Sequence, residues 1–168
     1  MSLFALNLQK LLGRGSSLSF NAQIACNGHS FLIRALSDTG ADGFVYIDTQ
    51  LALQAAKAFG QPVIRLEKEV PTRGFDDHPG KPITHAIELT LMIDGRVQRC
   101  LPMLIADLGK HDLILGREWF AEYEVLPDCA KRRLIWPEES SLQEEVASQL
   151  SVALPRTILR RPDPKSEH

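Results

Sequence analysis

Asp38, Thr39 and Gly40 form the tripeptide of this sequence that is best suited to chemistry. They follow the apolar run 30–37, SFLIRALS, which is typical of a buried strand. A carboxylate at the end of a strand, followed at once by a turn, is held where it can activate water. Two other interpretations remain open: a plain turn whose aspartate accepts backbone N–H groups, or a Mg²⁺ ligand of a phosphoryl-transfer enzyme. The latter enzymes normally have alternating strands and helices with a Gly-rich phosphate loop, and neither pattern occurs here.

A second motif lies much later in the chain, where the apolar strand 113–115 ends at Gly116 and a short helix begins. With both motifs present, the chain resembles the retroviral-type, or retropepsin-like, aspartic proteases. The resemblance is greatest to the protease segment of Ty3/gypsy-like retrotransposon Gag-Pol polyproteins, and it covers about residues 17–137.

The resemblance implies roles for the residues of both motifs. Asp38 would be the catalytic carboxylate, Thr39 would tie its loop to a partner loop, and Gly40 would let backbone approach the substrate. Asp42 and Arg117 match positions that form an ion pair. The remaining matches are Ala41 in the active-site loop and Ile114, Leu115 and Gly116 in a strand that supports it.

The polar stretch 71–82 contains three prolines and two glycines and is expected to project as a loop or hairpin. It resembles the flap that closes over bound peptide in this family. A flap excludes water and brings backbone donors to the substrate. Its predicted residues are Gly74, Phe75, Asp76, Asp77, His78, Pro79 and Gly80.

Peptide hydrolysis by carboxylates needs one ionised and one protonated group, and two adjacent aspartates sharing a proton supply both. Only one Asp-Thr-Gly is present in the chain. Asp107, which also ends an apolar strand, is a weaker internal candidate because Leu108 lacks a hydroxyl group. A homodimer would bring two copies of Asp38 to its twofold axis. The expected partners are therefore a second copy of the chain and an extended peptide or polyprotein substrate.

The elements around these motifs are mostly short strands. Residues 17–25 alternate in polarity, Asn27-Gly28 predicts a hairpin, and a second hairpin turns at Asp94-Gly95. Helices are expected over 49–59, capped by Asp48, and over 117–123. The predicted fold class is mainly β: a compact, retropepsin-like closed barrel with one or two short helices, forming one half of a homodimeric aspartic protease.

The predicted domain organisation has three parts. Residues 1–16 are an N-terminal segment, residues 17–137 the protease domain, and residues 138–168 a C-terminal linker or tail that could begin with a short helix and end disordered. At 168 residues the chain suits one core rather than two domains.

Composition argues against several classes of function. A net charge of −2 gives no general field for nucleic acid, and no segment reaches the length of a membrane span. The three cysteines are unpaired in sequence, which predicts an intracellular, cytoplasmic protein. His78 and His85 lack a third well-placed ligand, because Cys100 and His111 lie in separate elements, so neither a metal nor a cofactor is expected. Two alternatives to an endopeptidase stay open: a catalytically silent dimerisation or peptide-binding module of the same fold, and a nucleic-acid-associated β-barrel.

Overall fold

A computed structural model describes residues 17–72, 80–137 and 157–162 of the chain. In chain order the elements are β1 (Ser19–Cys26), β2 (His29–Ser37), β3 (Val45–Asp48), α1 (Thr49–Phe59), β4 (Ile64–Val70), β5 (Ile83–Ile93), β6 (Arg96–Ala106), β7 (Leu113–Leu115), α2 (Arg117–Glu122), β8 (Leu126–Asp128), β9 (Arg133–Ile135) and β10 (Thr157–Ile158). Six strands close into a barrel in the order β1, β2, β7, β3, β6, β5 and back to β1. The predicted mainly β closed barrel with two short helices is confirmed.

Two long hairpins make up most of the barrel. β1 pairs antiparallel with β2, and β5 pairs antiparallel with β6. Both turns use the predicted dipeptides, with φ of 51° and 81° at Asn27 and Gly28 and of 51° and 72° at Asp94 and Gly95. Asn, Asp and Gly tolerate this left-handed region better than other residues, which is why these dipeptides favour tight hairpins.

β7 occupies the position that matters most for the candidate site. It lies between β2 and β3, parallel to β2 and antiparallel to β3. Leu115 is opposite Ser37 on one side and Val45 on the other. The end of β7 therefore lies beside both ends of the loop 38–44, which connects β2 to β3.

The two helices begin where the sequence predicts. The side chain of Asp48 accepts a hydrogen bond from the Gln50 N–H at 3.2 Å and caps α1, which ends at Gly60 with φ of 67°. α2 is anchored by Trp119, which is fully buried and donates from Nε1 to Gln98 Oε1 at 2.7 Å. The Trp119 ring also meets Trp136 edge-to-face at 5.7 Å, so α2 is fixed to the core beside β7.

β5 has two partners along its length besides β6. Its first part, from Ile83 to Ala86, pairs with β4, whereas the part from Thr90 to Ile93 pairs with β1 and closes the barrel. β4 and the start of β5 thus pair antiparallel on either side of residues 71–82.

Two features were not predicted from the sequence. β8 pairs with β9 in a small separate sheet. Residues 157–162, which fall within the predicted tail, lie against the barrel: Thr157 and Ile158 pair in parallel with His29 and Ser30 of β2. Within the predicted tail, Thr157 and Ile158 thus form a short strand. The rest of the tail and the N-terminal segment 1–16 lie outside the described residues.

Within residues 17–72, 80–137 and 157–162, no helix combines the length and the apolar character needed to cross a membrane.

Candidate active site

Asp38 directly follows β2 and lies half-buried at the edge of the barrel. Its backbone N–H donates to the Leu115 carbonyl at 3.0 Å, and its carbonyl accepts from the Ala41 N–H at 3.1 Å. Its Oδ1 accepts a hydrogen bond from the Gly40 N–H at 3.0 Å. Backbone and side chain are both fixed, while part of the carboxylate stays open to solvent. The hydrogen bonds therefore hold the Asp38 carboxylate in one orientation.

Three further hydrogen bonds join the rest of the loop 38–44 to the start of α2. The N–H of Gly116 donates to the Phe44 carbonyl at 2.8 Å, and the Arg117 N–H donates to the Ala41 carbonyl at 2.9 Å. The Glu118 N–H donates to the Gly43 carbonyl at 2.9 Å. The amides at the start of a helix have no partner within the helix, so the loop carbonyls satisfy them here. The predicted supporting strand and the predicted active-site loop are thus joined by backbone contacts.

Gly116 is a glycine because the two backbone segments approach closely. A Cβ atom at this position would meet the Gly43 carbonyl group and would lie 3.2 Å from the Ala41 carbonyl oxygen. Its φ of −87° and ψ of 174° are open to any residue, so the constraint is space alone. Leu115 beside it is fully buried, and Ile114 is half-buried.

Asp42 and Arg117 form an ion pair, with 2.6 Å between Arg117 Nη2 and Asp42 Oδ1. The side chains are 82% and 61% exposed, so water screens most of the attraction. The pair therefore adds little stability, and its geometric role is to span from the loop to the start of α2.

Tyr46 is a residue of this site that the sequence analysis missed. Its hydroxyl donates to the Asp42 carbonyl, and a Cβ on Gly43 would collide with the same hydroxyl. Gly43 also has φ of 101°, in the region that favours glycine. Burial of the phenol, together with the nearby Asp42 carboxylate, raises the pKa of Tyr46 above its ordinary value, so the phenol remains a donor. The alternation of β3 places Tyr46 opposite the core, which is the signal that could have identified it.

Asp107, the internal candidate for a second carboxylate, is placed elsewhere. Its Oδ1 accepts from Thr49 Oγ1 at 2.6 Å, at the start of α1. The preceding residue, Ala106, is opposite Asp48 at the far end of β3, whereas Asp38 lies beside Leu115 at the near end. Within the part of the chain that the structure describes, no hydrogen bond joins Asp38 to another carboxylate.

The remaining predicted residues have mixed outcomes. Thr39 is exposed, which leaves its hydroxyl accessible, and its role toward a partner loop stays a prediction. Of the flap, Gly74, Phe75, Asp76, Asp77, His78 and Pro79 lie outside the described residues. Gly80 is described, and its N–H donates to the Thr72 carbonyl at 2.8 Å. This bond joins the two sides of the segment 71–82 at its base.

The described ranges give little evidence of metal binding, of disulfide formation or of an enclosed pocket at the Asp38 loop. They contain no group of three or more His, Cys, Asp or Glu side chains that could hold a metal ion. His85 Nδ1 is 2.7 Å from Thr84 Oγ1, and the three cysteines are free thiols. A shallow depression of about 240 Å³ is lined by residues such as Leu32, Met92 and Arg96, and none of the Asp38 loop lines it. The candidate site is therefore the open loop itself rather than an enclosed pocket.

Comparisons with known proteins find similarity among solved structures. No protein-family model matches the chain, and no curated protein sequence matches it. Among solved structures, the chain is similar to the retroviral protease-like domain of Ddi1 from Leishmania major, with a TM-score of 0.49 and 16% sequence identity. The similarity covers 74% of this chain and 91% of that domain. The case for a function therefore depends on the residues and contacts of this chain.

Proposed function

We propose that this chain is one half of a homodimeric, retropepsin-like aspartic endopeptidase, with Asp38 as the catalytic carboxylate of each half. The observation that carries the proposal is the fixed loop: the Asp38 N–H bonds to Leu115, and its Oδ1 accepts from the Gly40 N–H. A simple turn would need neither the close approach of Gly116 nor three further bonds to α2. A strand behind the loop is explained if the loop must hold a reactive carboxylate in a fixed position.

The second carboxylate comes from the second chain. Two copies of Asp38 at a twofold axis repel each other when both are ionised, so the pair retains one proton. The ionised member takes a proton from water, and the protonated member polarises the peptide carbonyl. The attacking oxygen bonds to the carbonyl carbon, and the C–N bond then breaks as the nitrogen receives a proton. No cofactor or metal takes part in these steps.

The substrate is an extended peptide, and we propose that it belongs to a retrotransposon Gag-Pol polyprotein cleaved in the cytoplasm. Apolar side chains beside the loop support a peptide ligand. Leu36, two residues before Asp38, pairs with Ile114, which pairs with Tyr46, and all three are half-buried on the face opposite the core. Side chains on alternate positions of an extended peptide can pack against such a row while its backbone forms hydrogen bonds.

One experiment tests the proposal. The purified chain is incubated with a fluorogenic peptide library from acidic to neutral pH, with and without an inhibitor of catalytic aspartates. We expect inhibitor-sensitive cleavage, and its loss in Asp38→Asn with an unchanged far-UV spectrum. Asp107→Asn, which changes another strand-end aspartate in the same way, serves as the matched control and should cleave normally.

The same assay separates the alternative functions. Cleavage that survives in a clean Asp38→Asn preparation removes the aspartic-protease proposal. Peptide binding without cleavage at any pH indicates the catalytically silent module instead. A nucleic-acid-associated barrel would bind labelled single-stranded nucleic acid and no peptide, and the net charge of −2 argues against it.

A further inference from the structure

One edge of β2 is only partly covered by β7. β7 pairs with Ala35, Leu36 and Ser37 at the end of the strand. Nearer its start, His29 and Ser30 pair with the two residues of β10. β7 and β10 therefore lie along the same edge of β2, and both run parallel to it. Residues 157–162 complete an edge that the barrel itself leaves open.

The docked segment uses alternate residues for contact. The Leu159 N–H donates to the Ser30 carbonyl at 2.9 Å, and the Leu159 side chain packs against the main core. Arg161 Nη1 lies 2.7 Å from Asp112 Oδ1, in an ion pair whose Asp112 side chain is only 18% exposed. Ile158 and Arg160 are exposed. Because successive side chains of an extended segment point to opposite sides, the contact pattern is Leu-x-Arg.

Asp112 connects this segment to the candidate active site. Besides Arg161, it accepts a hydrogen bond at Oδ2 from the Arg34 N–H at 3.0 Å, and its carbonyl accepts from the Asp48 N–H at 2.9 Å. Asp112 directly precedes β7, whose last residue, Leu115, accepts the Asp38 N–H. A contact with the side chain of Asp112 therefore acts on the residue immediately before the strand that supports Asp38.

We propose that the edge of β2 from His29 to Arg34, together with Asp112, is a recognition site for an extended Leu-x-Arg peptide, and that residues 157–162 are its intramolecular ligand. Occupancy of this site stabilises β7 and the loop that carries Asp38. Recognition of the peptide at the β2 edge does not depend on the proposed protease activity. Any effect of this recognition on peptide cleavage does depend on that proposed activity.

The chain between Pro137 and the docked segment is long enough for that segment to leave the barrel. Residues 138–156 join it to Pro137 and can span on the order of 60 Å when extended. Such a connection does not force the segment onto β2, so the docked position depends on its own contacts. Because the segment is covalently joined to the barrel, its effective concentration at β2 is high and a free peptide competes poorly with it.

Release of the segment in the full-length chain tests the recognition site. Arg161→Glu places a negative charge beside Asp112, and Leu159→Asp removes the apolar contact, so each should free the site. Arg160→Glu is the matched control, because Arg160 is exposed and adjacent. Binding of a fluorescently labelled peptide with the sequence of residues 155–164 is measured by anisotropy. We expect at least tenfold tighter binding to the two released variants than to wild type or Arg160→Glu. Equal binding by all four chains, or binding by none, overturns the proposal.

Amide hydrogen exchange tests the coupling to the candidate active site. A partly exposed ion pair contributes up to about 1 kcal/mol, which is roughly fivefold in an opening equilibrium. We therefore expect exchange at Asp38 and at residues 113–116 to become about fivefold faster in Arg161→Glu and to stay unchanged in Arg160→Glu. Unchanged exchange in both variants overturns the coupling. Since neither readout needs catalysis, a chain that binds the peptide but cleaves nothing would refute the protease alone.

Discussion

Replacing Gly116 with alanine puts a methyl group where two backbone segments meet. The new Cβ would meet the Gly43 carbonyl group and would lie 3.2 Å from the Ala41 carbonyl oxygen. Both neighbours are backbone atoms of the loop 38–44, so they can yield only if the loop moves. The backbone angles of Gly116 suit alanine, and a Gly→Ala change at a compatible position would alone stabilise the fold by about 0.4–1 kcal/mol.

The collision outweighs that gain. Overpacking a buried site typically costs about 1–3 kcal/mol. The expected net loss in the free energy of unfolding is therefore about 1–2 kcal/mol, or roughly 2–8 °C in Tm at 2–4 °C per kcal/mol. Because the displaced atoms belong to the Asp38 loop, we expect peptide cleavage by the folded variant to fall at least tenfold, a larger effect than the stability loss alone would cause.

Urea unfolding followed by tryptophan fluorescence gives the stability, and the peptide assay gives the activity. Gly109→Ala is the control: Gly109 has φ of 64° and open space around its Cβ position, so alanine there is strained without any collision. It should lose stability and retain its activity per folded molecule. If Gly116→Ala unfolds and cleaves like wild type, β7 and the loop do not approach as closely as described, and the reasoning about their contact is wrong.

Three further predictions concern the same loop. Reversing the charges of Asp42 and Arg117 singly and together should give a coupling energy of about 0.2–1 kcal/mol that shrinks in high salt, because the pair is exposed; coupling of several kcal/mol would mean that it is buried in the dimer. Tyr46→Phe should lower the free energy of unfolding by about 0.5–1.5 kcal/mol, because it removes the hydrogen bond from the Tyr46 hydroxyl to the Asp42 carbonyl. The difference between the variant and wild type should shrink as pH rises above the ordinary tyrosine pKa of about 10 and through the raised pKa of Tyr46 in the folded chain, where the phenol ionises. A pH-independent difference would contradict the donor role. Cleavage per chain should rise with protein concentration and follow the dimer in sedimentation, whereas full activity of a strict monomer would point back to Asp107.

The local patterns in the sequence predicted much of the fold. Asn27-Gly28 and Asp94-Gly95 determine their turns through a local preference for positive φ, and Asp48 caps α1 through a bond two residues away. The family resemblance carried by Asp38-Thr39-Gly40 and by the strand ending at Gly116 implied that this strand supports the loop. Their spacing could not show that Gly116 is held against Gly43 or that Tyr46 bonds to Asp42, because those contacts depend on how distant strands pair.

The pairing of residues 157–158 with β2 could not be predicted from patterns in the sequence. Residues 155–162 contain two prolines and three arginines, a composition typical of a linker. Only two residues pair with β2, which is too short for a period-two pattern to be visible. The contacts that hold the segment, through Ser30 and Asp112, come from parts of the chain that are far away in sequence.

The insertion of β7 between β2 and β3 also constrains the order in which the protein can be completed during synthesis. Leu115 follows Asp38 by 77 residues in the chain. At the usual 5–20 residues per second, a ribosome needs roughly 4–15 s to add them. The hairpin of β1 and β2 can close during this interval, but Asp38 still lacks the carbonyl that accepts its N–H, and the loop lacks the amides of α2. A nascent chain thus carries an unsupported Asp38 until nearly the whole barrel has emerged, so synthesis itself delays the moment at which this carboxylate is held in place.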